Sequence, residues 1–121
     1  MPDQPDLTDQ RPGWVDDGNQ ECFVYHLKPG AGEEYDRWHA ETLPGVIAGL
    51  QRRGAYDYSI FRRGDLVITT VRRLPGAPEI DAPGKDSPDE VRWSELMAPL
   101  FERTTDEDGR PLKAARVFRM D

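Results

Sequence analysis

Tyr35 and His39 stand four residues apart in the segment EEYDRWHAET, so on a helix they share one face, one turn from each other. Histidine exchanges protons near neutral pH, and a phenol positions or donates to an oxygen. The pair suits proton transfer to or from an oxygen of a bound substrate. The same spacing also serves two polar residues at the edge of a core. Trp38 beside them is either core or a platform for stacking a sugar ring. Tyr58, in AYDYSIF, is either a pocket wall or ordinary sheet packing, and strand alternation sends Tyr56 and Tyr58 to one face and Asp57 to the other. His26 is the only other histidine, and with Glu34 and Asp57 it shows no metal-ligand spacing. Cys22, the single cysteine, lacks the basic neighbours of a reactive thiolate and reads as a buried structural residue. The pairs Arg62-Arg63 and Arg72-Arg73 read as solvated strand ends. Neither a glycine-rich phosphate loop nor a serine-nucleophile motif is present.

These residues need elements to hold them. Cys22 to Leu27 alternates as a strand and stops at Lys28-Pro29-Gly30. A helix follows from Glu33 and breaks near Thr42, because Pro44 has no backbone N–H to donate. Pro44 suits the first turn of a second helical segment, in which Leu43, Val46, Ile47 and Leu50 recur on one face and Arg52, Arg53 and Gly54 form the stop. Ala55 to Phe61 and Leu66 to Val71 are β-rich, and Arg62 to Asp65 joins them as a hairpin. Ser87, Pro88 and Glu90 supply an N-cap, a first-turn proline and a capping-box glutamate. Trp93, Leu96, Met97, Leu100 and Phe101 then form an apolar helical stripe, with Pro99 expected to kink or end it. Asp106 to Arg110 is a turn, and Ala114 to Met120 is the expected last strand.

The order βαββαβ is that of an α+β, ferredoxin-like domain with a four-stranded antiparallel sheet and both helices on one face. The other face carries either Val24 and His26 or Phe23, Tyr25 and Leu27, and such a surface favours burial against a second copy, as a dimeric α/β barrel. A chain of 121 residues fits one such domain, spanning 22–121. Residues 1–21 hold six acids against Arg11, with three prolines and two glycines, and read as a flexible tail. A second acidic stretch, 74–90, reads as a mobile loop. The formal charge of −7, with these two segments at −5 and −4 and the rest of the chain close to neutral, argues against a nucleic-acid partner. No apolar run is long enough to span a membrane, and the N-terminus lacks the order of a secretory signal, so a cytoplasmic location is expected.

Taken together, EEYDRWHAETLPGVIAGLQRRGAYDYSIFRRGDLVITTV, the strand CFVYHLKPG and the terminal ARVFRMD resemble the L-rhamnose mutarotase family. The resemblance covers about residues 22 to 73, Val91 to Phe101 and the end of the chain. It implies a homodimeric α/β barrel without cofactor that interconverts the α and β anomers of an unphosphorylated sugar. It implies that His39 donates a proton, that Tyr35 and Tyr58 bind substrate, and that Arg92 and Trp93 stand where the family has tandem tryptophans. With Trp38, these are the candidate site residues. The chain departs from the family at Leu43-Pro44-Gly45, where Trp-Pro-Glu is usual, at Asp57, where asparagine is usual, and at Arg92. These departures reshape the pocket, which then suits another deoxysugar or a larger sugar-like metabolite as well as rhamnose. Two other readings of the same barrel are a cyclase or cofactor-independent oxygenase of specialised metabolism, and a non-catalytic metabolite-binding dimer.

Overall fold

Strand β1, Gln20–Leu27, sends Glu21, Phe23, Tyr25 and Leu27 toward the helices and Cys22, Val24 and His26 to the opposite face. The computed structural model in which it lies describes residues 20–77 and 87–120. Most of the expected tail and part of the expected acidic loop lie outside the described residues. The strand starts two residues before the expected boundary because Glu21 is buried, with Arg73 Nε at 2.5 Å and Lys113 Nζ at 2.7 Å from its carboxylate. Those contacts fix the start of the strand in the sheet.

Helix α1, Gly32–Ala40, is separated from α2, Pro44–Arg52, as the proline predicts. The hydroxyl of Thr42 donates to the His39 carbonyl at 2.9 Å and closes the break. Strands β2, Ala55–Arg63, and β3, Leu66–Arg73, form the expected antiparallel hairpin, and β3 also pairs with β1. Helix α3, Pro88–Met97, begins at Ser87, whose Oγ accepts from the Glu90 amide at 3.2 Å. It ends in a single tight turn, Ala98–Leu100, at Pro99.

The fourth position in the sheet is built differently from the expectation. Phe101 does not extend the helix but opens the short strand β4, Phe101–Arg103, which pairs with the end of β1 at His26 and Leu27. The strand expected over 114–120 is only β5, Lys113–Ala114, paired with Cys22 and Phe23. The turn at Asp106 brings both pieces to one edge of β1: Asp106 Oδ1 accepts from the amides of Asp108 and Arg110 at 2.8 and 3.0 Å. Among the described residues the sheet therefore has five strands in the order β2-β3-β1-β4, with β5 beside β1, and all their pairs are antiparallel.

Alternation also fails in β2. Tyr56 pairs with Arg72 and Ser59 with Thr70, so two residues of β2 stand opposite one of β3, and Asp57 takes a positive φ of 48°. This bulge puts Tyr56 and Tyr58 on opposite faces, correcting the expectation that they share one. Asp57 tolerates the left-handed conformation better than most residues, and Arg72 Nε donates to its Oδ2 at 3.2 Å.

The core fills the space between the helices and the sheet. Leu27, Tyr35, Val46, Val67, Trp93, Met97 and Leu100 form one buried cluster, and Phe23, Ala55 and Val71 a second. Helices α2 and α3 approach closely. A Cβ on Gly45 would lie 2.6 Å from the Asp89 Cβ, and one on Gly49 would lie 2.5 Å from the Glu90 carboxyl carbon. The Gly45 amide donates to Asp89 Oδ2 at 2.8 Å, so the departure at this position serves helix packing.

Candidate functional site

One turn of α1 brings the Tyr35 and His39 rings to a centroid distance of 4.0 Å. His39 Nδ1 lies 2.7 Å from the Tyr35 carbonyl oxygen, and since a carbonyl only accepts, Nδ1 carries the hydrogen. Nε2 is thereby left as the nitrogen open to a ligand. Trp93, on α3, meets His39 edge-on at 5.0 Å, and Phe101 meets Tyr35 edge-on at 5.9 Å. The helix spacing, the break at Pro44 and the turn at Pro99 together set this arrangement.

The group lies on a cavity of about 370 Å³ between the helices and the inner sheet face. Its walls include Tyr25, Tyr35, His39, Tyr58, Trp93 and Phe101. The bulge in β2 is what turns Tyr58 inward, and Ile60 follows it on the same face. Aromatic walls with a few polar groups fit a sugar ring, whose C–H faces pack on aromatic surfaces while its hydroxyls seek partners. Tyr35, His39, Tyr58 and Trp93 are therefore brought together. Trp38 packs at the edge of the core under the Arg37 guanidinium, 5.5 Å from its ring centroid, and does not line this cavity. Arg92 is exposed on α3 and also lies outside it.

Burial tunes the polar groups. His39 is held below its ordinary pKa by desolvation, partly opposed by its hydrogen bond to the Tyr35 carbonyl and by the nearby Asp36. Its resting form is the neutral imidazole. Tyr35 is pushed well above the ordinary phenol range, first by burial and then by the neighbouring Tyr58 and Tyr25 hydroxyls and Asp36. Burial also raises Tyr58. Both phenols keep their protons and so can donate hydrogen bonds. Asp36, lowered by the two hydrogen bonds it accepts from Arg62 at 2.7 and 2.5 Å, ties α1 to the end of β2.

Several wall residues were not legible as such. Tyr25 and Phe101 lie on an undecided strand face and past a helix stop, respectively. Arg53 and Glu90 read as a helix stop and a cap, yet both line the cavity. The available clue was the spacing of Glu90 and Trp93, three apart on one helical face. Among the described residues no cluster of three or more His, Cys, Asp or Glu is arranged to hold a metal ion. Nor is any described helix long and apolar enough to cross a membrane.

A family model described as L-rhamnose mutarotase matches residues 20–120. An L-rhamnose mutarotase of Phocaeicola vulgatus is 30% identical, over 84% of this chain and 98% of its own. One from Acidiphilium cryptum is 33% identical over 84% and 97%. An L-fucose mutarotase of Xanthomonas campestris is 39% identical over 39% of this chain and 41% of its own. A crystal structure of an L-rhamnose mutarotase from Formosa agariphila has the same fold, with a TM-score of 0.62 and 20% identity over 84% of this chain and 98% of that one.

Proposed function

The chain belongs to the L-rhamnose mutarotase family and is a sugar mutarotase, an isomerase acting on carbohydrates, and on that premise we propose how its own residues work. Mutarotation moves one proton from the anomeric hydroxyl to the ring oxygen and back. Neutral His39 accepts the hydroxyl proton at Nε2. The bond from C1 to the ring oxygen breaks, its electron pair stays on that oxygen, and C1 becomes the aldehyde carbon. The imidazolium then donates the proton to the ring oxygen, which is the donor role expected of His39. Rotation about C1–C2 presents the other carbonyl face, and the same transfers in reverse close the ring. Tyr35 and Tyr58 donate hydrogen bonds to the oxygens being reorganised, and Trp93 packs on the ring. The observation that carries this reading is the 2.7 Å contact of Nδ1 with the Tyr35 carbonyl, which fixes the tautomer and frees Nε2. Polarimetry on freshly dissolved single anomers of rhamnose, fucose and other deoxysugars tests it. Rotation should relax faster with the protein for at least one of them; relaxation at the spontaneous rate for every sugar contradicts it.

The working unit we propose is a homodimer joined through the sheet face that the helices leave uncovered. Val24, Ile68 and Phe61 align across β1, β3 and β2 on that face, and Phe61 is 61% exposed. Val117, Phe118 and Met120 are more than half exposed as well, which adds apolar surface that favours a partner. Light scattering at micromolar concentration should give twice the chain mass, and Phe61→Glu should lower it toward the monomer. A monomeric wild-type protein would refute the dimer.

A further inference from the structure

Among the described residues of the cavity wall, Arg53 is a cationic side chain that is clamped and still has an idle arm. Its Nη1 donates to Glu90 Oε2 at 2.6 Å, while its Nη2 is buried with no hydrogen-bond partner among the described residues. Glu90 is itself only 1% exposed and is held on its other oxygen by Ser87 Oγ at 3.1 Å and Arg52 Nη2 at 3.3 Å. The cradle is fitted to it: the absence of a side chain at Gly49 is what leaves room for the carboxylate. The guanidinium is thus anchored at Nη1 before any ligand arrives, a buried charged donor without an acceptor is costly, and Nη2 meets a ligand in the cavity by turning about that anchor.

Its place in the cavity says what that acceptor is. Glu90 lies three residues, a rise of about 4.5 Å, before Trp93, whose ring touches His39. His39 and Arg53 line the same cavity, so a sugar whose anomeric carbon is at His39 occupies the space that Arg53 walls. Among the described residues the charged members of the wall are Arg53, Arg103, Glu90 and Glu102, two of each sign, so an anionic substituent finds no surplus of positive charge among them. We propose that Arg53, positioned by Glu90, selects the substrate by donating from Nη2 to a neutral hydroxyl oxygen on the side of the sugar remote from its anomeric centre. This rests on the mutarotase reading and adds to it the residue that reads the hydroxyl pattern.

The test compares wild type with Arg53→Lys, which keeps a cation beside Glu90 and lacks the second arm. The ligands are the best sugar from the polarimetric panel and its monodeoxy analogues at each carbon other than C1. Binding is read by calorimetry and exchange by kinetics. Wild type should bind one analogue about 10- to 100-fold more weakly than the parent sugar, the range of a hydrogen bond to a charged donor. Arg53→Lys should bind the parent as weakly as that analogue, with no further loss for the analogue, and the loss should appear in both Kd and KM. Equal discrimination by both proteins, or equal losses for every sugar, overturns the proposal. Arg53→Gln is the second variant should the lysine protein not fold. A wild type that binds these sugars without accelerating exchange defeats the mutarotase reading instead, and the calorimetric comparison still decides the role of Arg53.

Discussion

His39→Ala lowers the rate of anomer exchange by about 10²- to 10⁴-fold, the range that a positioned acid–base group supplies. Among the described residues of the wall His39 is the only histidine, the side chain that ordinarily exchanges a proton near neutral pH, and burial keeps the Tyr35 and Tyr58 phenols protonated. Its ring is half-buried at the cavity wall, so its removal costs chemistry far more than packing. The pH profile of wild type follows from the direction of the His39 shift. Because desolvation lowers its pKa below the ordinary 6.5, the neutral, proton-accepting form already prevails at neutrality. The exchange rate should rise with pH through a value below 6.5 and be flat above it, and His39→Ala should lose that inflection. Activity that falls as pH rises through the same value would mean that the imidazolium alone is the working form.

Trp93→Ala should destabilise the fold by about 3–5 kcal/mol, measured as a shift of the urea midpoint at constant slope. The indole is 5% exposed and belongs to the larger core cluster, with Tyr35, Val46 and Met97 among its members. Its loss opens a void that the sheet and α1 cannot both fill. Since a domain of this size has about 5–15 kcal/mol in hand, the variant should retain its fold only under mild conditions. Trp93→Phe should recover most of the stability while weakening sugar binding, because a smaller ring covers less of the sugar face. A loss below about 1 kcal/mol for the alanine variant would contradict the central place of Trp93 in the core.

The parts of this arrangement that depend on local chemistry were readable in the sequence. Helical spacing paired Tyr35 with His39, Pro44 split the first helix, and Ser87 capped α3. The parts that depend on contacts between distant residues were not. The bulge at Asp57 reverses Tyr58 relative to Tyr56, and simple alternation carries no sign of it. Phe101 continues the apolar spacing of α3 and becomes a strand residue only because Pro99 stops the helix and β1 offers a free edge at Leu27. That edge is filled by two short strands, so the expected strand over 114–120 shrinks to Lys113–Ala114. Arg53 and Glu90 are 37 residues apart, and their joint place in the cavity wall follows only from the close packing of α2 on α3.

The measurement that bears most directly on the account is selective-saturation proton NMR on an equilibrated deoxysugar, with rhamnose and fucose first, with wild type and His39→Ala side by side. Saturating one anomeric proton should diminish the signal of the other anomer when wild-type protein is present, and the effect should all but vanish with His39→Ala. Equal transfer in both proteins would remove His39 from the reaction, and no transfer for any sugar with wild type would contradict sugar mutarotation itself.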